Sequence, residues 1–415
     1  MSIALVIAIA GAVFLVLGYV LMLLGLFKYV RTAWRRWIRK IPEDEPATKG
    51  DVERILDEIA RATAAPGTPQ PDTAELAAEA VADTEEKLRE AEKFVHEGRY
   101  KDAIEHVRSA YDRDLSALAK AQLNMIAGNA YLRISDYGAA ETYYREVMTV
   151  ARTAGDRQAE AAATGSLGLV HESRGDLDNA EEQFQEAGVI QERIGDRHGL
   201  ATTLGNLGLV YAGRGDLEGA EESCRKALGI SEEIGDRLGQ ASQLGNLGNV
   251  YAGRGDLEGA EKYYRKALNI AEEIGDRLGQ ANQLGNLGNV CMGRGDLEGA
   301  EKYHRKAFDI SEEIGDRLGQ ATKLGNLGLV YAGRGDLEGA EEYYRKALHI
   351  AEEIGDRLGQ ANQLGNLGNV YAGRGDSEEA EEHYRIALQI FEAIDATHLI
   401  RQTRDLLEDL KAKDD

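Results

Sequence analysis

Two hydrophobic patterns divide the chain. Ile3 to Phe27 is an unbroken run without a charged side chain. At about 1.5 Å per residue, a run of that length spans a bilayer core of about 30 Å, so it predicts a transmembrane helix. From about residue 76 onward the apolar positions recur every three, four and seven residues, as on one face of a helix. Leu244, Leu247 and Tyr251 share a face in one segment, and Ala260, Tyr264 and Ala267 share one in the next. Helix therefore follows helix for most of the chain.

The helical pairs repeat. Asp136, Asp176, Asp216, Asp256, Asp296, Asp336 and Asp376 recur at a constant interval, and a second series from Asp156 to Asp356 keeps the same interval. The first series fits the N-cap of each second helix, and the second series fits the N-cap of the next first helix. Glycines such as Gly235 and Gly275 fit the left-handed stop between helices. Full units begin near 159, 199, 239, 279, 319 and 359. Diverged ones cover about 117–158 and 76–116. After Ile394 the pattern breaks into a segment that predicts a capping helix with a polar outer face, which a solenoid needs to end its exposed core.

The motif Leu244-x2-Leu247-Gly248-x2-Tyr251, followed by Ala260-x3-Tyr264, resembles the tetratricopeptide signature. The unit as a whole is similar to the long units of the Pins/LGN group, rapsyn and the kinesin light chains. The similarity is strong over about 159–395 and weaker over 76–158. It implies an all-α, right-handed α-solenoid of about eight helix pairs with a C-terminal capping helix, here preceded by one transmembrane helix. It also implies a non-enzymatic adaptor whose concave groove holds an extended peptide, gripped through its backbone by first-helix asparagines. Those asparagines are present. Asn206, Asn246, Asn286, Asn326 and Asn366 form one ladder, and Asn129, Asn249, Asn289 and Asn369 a second. At 100° per residue they lie opposite the Leu face, and an amide both donates to and accepts from a peptide unit. The neighbouring column of Thr202, Ser242, Asn282, Thr322 and Asn362 varies, as reading a ligand requires. The carboxylate clamp of tetratricopeptide co-chaperones is not expected, because the corresponding position is glycine in Gly205, Gly245, Gly285, Gly325 and Gly365.

Composition adds the surroundings. All five prolines lie between 42 and 71, so residues 41–75 read as a linker with room for a short helix over Asp51–Thr63. Six basic residues and both tryptophans lie within residues 28–40, which makes that stretch the cytoplasmic flank of the span. The organisation expected is a transmembrane helix at 3–27, a basic juxtamembrane segment at 28–40, a linker at 41–75, a repeat solenoid at 76–398, and a cap and tail at 399–415. The expected location is the cell membrane, single-pass, with the N-terminus outside and the repeats cytoplasmic. Gly11, Gly18 and Gly25 in the span allow a homo-oligomer.

The formal net charge is −23, and a body so acidic repels phosphate backbones, which argues against a nucleic-acid partner. Cys224 and Cys291 stand where sister repeats carry tyrosine, so they read as core substitutes and not as a metal or disulfide pair. No catalytic set, metal ligands or cofactor motif is found. Arg-Gly-Asp recurs six times from Arg174 to Asp376, and the capping role of its Asp accounts for it. The partners expected are a protein or peptide in the groove and the membrane through 3–27. A self-assembling scaffold at the membrane, or a non-catalytic regulator of a partner enzyme, is the alternative.

Overall fold

The computed structural model describes residues 73–111 and 115–414, with side chains from 84 to 412. The chain divides into a unit of residues 1–80, of which only the start of one helix is described, and a unit of residues 81–415. Among its described residues the second unit is built of helices. They are α1 (Thr73–His96), α2 (Tyr100–Ala110), α3 (Ala117–Arg133), α4 (Tyr137–Ala154), α5 (Arg157–Arg174) and α6 (Leu177–Ile194). Then follow α7 (Arg197–Gly213), α8 (Leu217–Glu233), α9 (Arg237–Gly253), α10 (Leu257–Glu273), α11 (Arg277–Gly293) and α12 (Leu297–Glu313). The last are α13 (Arg317–Gly333), α14 (Leu337–Ile354), α15 (Arg357–Arg374), α16 (Ser377–Ala393) and α17 (Thr397–Asp414). From α3 to α15 each odd-numbered helix packs on the even-numbered helix after it, and from α5 to α13 also on its counterpart in the next repeat, so the array is a solenoid.

Local chemistry sets most of the joints. Asp256 accepts a hydrogen bond from the Gly259 amide at 2.8 Å, which caps α10. Asp276 accepts from Gly279 at 2.9 Å, which caps α11. Between helices the chain turns through left-handed glycines such as Gly255, at φ 77°, where a Cβ would be strained. Within a repeat the two helices touch at one small residue. A Cβ on Gly248 would overlap the Tyr264 ring, so glycine there admits a buried aromatic from the second helix.

The outer surface carries a second repeating device. The Glu261 carboxylate on α10 is held by Arg265, one turn along its own helix, at 2.6 Å. It is also held by Arg294, from the turn after α11, at 2.5 Å. Arg294 also donates to the Leu257 carbonyl at 3.0 Å. Equivalent Glu–Arg staples join Glu221 to Arg254, Glu301 to Arg334 and Glu341 to Arg374. Each such arginine begins an Arg-Gly-Asp triplet: the Arg ties a repeat to the one before it, and Asp256, Asp296 and Asp336 cap the helix that follows, whereas the expected cap at Asp376 makes no side-chain hydrogen bond.

The array also comes round on itself. The turn between α3 and α4 meets the turn between α14 and α15. Ser135 Oγ donates to Asp356 Oδ1 at 3.0 Å, across 221 positions of sequence. The Arg357 amide donates to the Ile134 carbonyl at 3.3 Å. Lys101 Nζ donates to the Glu352 carbonyl at 3.3 Å. One apolar cluster joins Tyr100, Ile104 and Leu123 to Ile354 and Ala361, with Leu318 and Leu358 at its edge. The sister residues are an internal control: Ile234 and Ile274 are 41% and 40% exposed, whereas Ile354 is 7% exposed. The covering comes from the early repeats. Ser135 takes φ 62° where the sister turns carry glycine, a conformation that disfavours side chains and that is tolerated where the surroundings fix it.

One expectation is corrected. No helix among the described residues is long and apolar enough to cross a membrane. The first helices of the solenoid are 17 or 18 residues and interleave Asn, Gln and Gly, and the second helices are heavily charged. Among the described residues the fold is thus a helical solenoid with no helix that could be the predicted transmembrane one, and the single-pass cell-membrane location built on that helix is not borne out. Residues 3–27 and 28–40 lie outside the described residues, as does most of the linker.

Candidate functional site

The odd-numbered helices line the inner face. On it, Thr202, Ser242, Asn282, Thr322 and Asn362 are exposed, and Asn206, Asn246, Asn286, Asn326 and Asn366 are half-buried. The half-buried ladder is tied at its foot. Asn246 Nδ2 donates to Gln243 Oε1 at 3.2 Å, and Asn286 donates likewise to Gln283 at 3.5 Å. The glutamines in turn lie over the glycines of the preceding repeat. Gln283 Nε2 is 3.0 Å from where a Gly245 Cβ would stand, and Gln363 Nε2 is 3.0 Å from the same point at Gly325. The glycine column, at which no clamp is expected, therefore has a packing cause at Gly245 and Gly325: it lets neighbouring first helices come close enough for the glutamine to lie between them.

The second ladder behaves differently. Asn129, Asn249 and Asn369 are exposed, yet each is held by the core. Tyr144 Oη donates to Asn129 Oδ1 at 2.8 Å, and Tyr264 and Tyr384 donate to Asn249 and Asn369 at 2.7 Å each. A buried phenol needs an acceptor, and the amide oxygen supplies it. The amide is thereby oriented, with its oxygen occupied and its NH2 directed away from that bond. The substitutions in this column follow the same logic twice. Leu169 stands in the repeat with Phe184, and Leu209 in the repeat with Cys224; neither partner carries a phenol. Variation in this column is thus partly core matching. Tyr344, with Leu329, does not follow it.

Asn289 is the odd member. Its second-helix counterpart is His304, fully buried, with neither ring nitrogen hydrogen-bonded. Burial, and then the nearby Lys323 charge, push the imidazole down from 6.5 to about 4. Lys323 occupies the glutamine column and is 6% exposed, with its ammonium 3.2 Å from the Cβ point of Gly285. Burial lowers its pKa too. A lysine thus stands in the glutamine column, and the Lys for Gln replacement at 323 is the sequence signal that marks it. Cys224 fills the tyrosine site of its own repeat, and burial pushes its thiol up to about 12, which makes it unreactive.

Where the array closes, the inner faces of early and late repeats confront each other across a cavity of about 920 Å³. Asn129 and Leu169 form one wall, and Asn326, Leu329 and Asn366 the other. Three of the nine ladder asparagines thus share one chamber, and the other six extend along the open inner face.

Three family models match. The MalT-like TPR region matches residues 135–314, and tetratricopeptide repeat models match 279–353, 319–393 and 88–156. The chain is a tetratricopeptide repeat protein. No curated protein sequence matches it. Among solved structures, a Rap protein complexed with Competence and Sporulation Factor superposes with a TM-score of 0.51 at 15% identity, covering 80% of this chain and 98% of that one. The apo form of RapI superposes at 0.50 with 17% identity, covering 65% of this chain and 98% of that one. At such identities the likeness is one of fold. The tetratricopeptide solenoid is a protein–protein interaction architecture, and its curvature makes an extended concave surface.

Proposed function

We propose that this tetratricopeptide protein is a non-catalytic adaptor that binds an extended peptide segment of a protein partner on its inner face. The observation that carries the reading is the pair of asparagine ladders, regularly spaced and facing the inside. The oriented NH2 groups of Asn129, Asn249 and Asn369 suit carbonyl oxygens of a ligand backbone. The half-buried amides of Asn206, Asn246, Asn286, Asn326 and Asn366 offer a second row, and Asn289 continues the first. An amide pairs with a peptide unit whatever side chain that unit bears. Selectivity is then left to the variable column from Thr202 to Asn362.

The test replaces Asn246, Asn286 and Asn326 together by Ala in the full chain and compares partner recovery by affinity capture, with helix content checked by circular dichroism. The expected result is loss of the partner at unchanged helicity. Equal recovery by the variant would refute the ladder as the binding surface.

A further inference from the structure

The chamber has two walls that belong to opposite ends of the array, so it exists only while the α3–α4 and α14–α15 turns are in contact. We propose that this seam is a closure coupled to ligand binding, and that the chamber it shuts takes a short, uncharged, amide-rich peptide segment. The proposal rests on the reading of the inner face given above and adds how that face is regulated.

Three independent features point to the seam as a built contact. Ser135 accepts an unfavourable left-handed backbone, φ 62°, and its hydroxyl is spent on Asp356. Asp356 is a helix cap like its sisters, accepting from the Gly359 amide at 3.0 Å, yet it is buried. Ile354 is covered where Ile194, Ile234, Ile274 and Ile314 are open. The ligand class follows from the lining. Asn129, Asn326, Asn366 and Thr322 offer amides and a hydroxyl, and Leu169 and Leu329 offer aliphatic surface. The charged residues in its lining are Arg133 and Asp356, and Asp356 is engaged by the seam. A volume of about 920 Å³ lies in the range of small-ligand sites, roughly 300–1,000 Å³, and the chamber is partly open to solvent, so it holds a short stretch of the segment. Coupling is then obligatory: whatever binds both walls favours the closed array by its differential affinity.

Ser135→Gly is the discriminating variant, because glycine serves at the sister turns and the fold tolerates it there. In the full chain, hydrogen exchange is followed on the peptide carrying Arg357, which His349 distinguishes from its sister peptides. The probe is a pool of acetylated, amidated hexapeptides of Ala, Ser, Asn and Leu. We expect the variant to exchange about tenfold faster at the seam, in line with a lost hydrogen bond to a charged group. We also expect the pool to slow exchange in the native chain and to bind the variant more weakly. Unchanged exchange in the variant would overturn the latch. Faster exchange with equal binding of the pool would overturn the coupling and leave the inner-face reading standing. Binding of the pool by neither chain would overturn the assigned ligand class.

Discussion

His304→Tyr should stabilise the protein, and by more in acid. His304 is fully buried against Gly288, and a Cβ there would lie 2.6 Å from the imidazole Cε1. The sister residues at this site, Tyr144, Tyr264 and Tyr384, make the same approach and donate to an asparagine oxygen. Asn289 is in place to accept from a tyrosine at 304. Exchanging two buried, unpaired ring nitrogens for one satisfied hydroxyl is worth about 1–3 kcal/mol at neutral pH. The pH term follows from the depressed imidazole pKa. The unfolded ring takes a proton below 6.5, and the folded ring resists it down to about 4. The unfolded state therefore binds more protons across that window, and stability falls as pH falls through it. A shift of this size corresponds to about 3 kcal/mol, and tyrosine has no such term. Urea unfolding of both chains, followed by far-ultraviolet circular dichroism from pH 7 to pH 4, measures the difference, in which the carboxylates common to both chains cancel. A difference that stays flat with pH, or a native chain more stable than the variant at pH 7, would refute the account of His304 as a buried neutral base without partners.

Two further substitutions test neighbouring parts. Lys323→Gln restores the residue of Gln243, Gln283 and Gln363. Because burial lowers the folded lysine pKa from 10.5, the protonated form is disfavoured on folding, so the variant should melt higher at pH 7 and lose that advantage as pH rises toward 10.5. Glu261→Gln removes one outer staple. Arg294 and then Arg265 hold the Glu261 carboxyl below its ordinary 4.5, so its contribution is full above that value and disappears as pH falls. For a carboxylate about one-quarter exposed, a loss of about 1 kcal/mol is expected at pH 7, and denaturant midpoints that converge in acid would check it.

The repeats are legible in the sequence because their signals are local. The Gly–Asp joint recurs twice in every repeat, and the apolar spacing between joints is helical, so helix ends and partners follow from short windows. The inner-face ladders are legible for the same reason. What those asparagines touch is not, because Asn249 and Tyr264 stand on different helices, and their hydrogen bond depends on how closely Gly248 lets those helices approach. The glycine column at Gly245 shows the same dependence: read along the chain it is a missing clamp, and in the fold it is room for Gln283. Closure is the least legible, since it pairs positions five and a half repeats apart. Its one mark in the sequence is a serine at Ser135 where a glycine is due.

Closure gives the array a counting rule. Nearest-neighbour packing is indifferent to the number of units, so one whole repeat could be lost or duplicated with every local contact preserved. The meeting of Ser135 with Asp356 is not indifferent. One repeat more or fewer would bring another turn opposite Ser135, or carry the ends past each other, and would leave Ile354 as bare as Ile274. The number of repeats between Ser135 and Asp356 is thus set where those two turns meet.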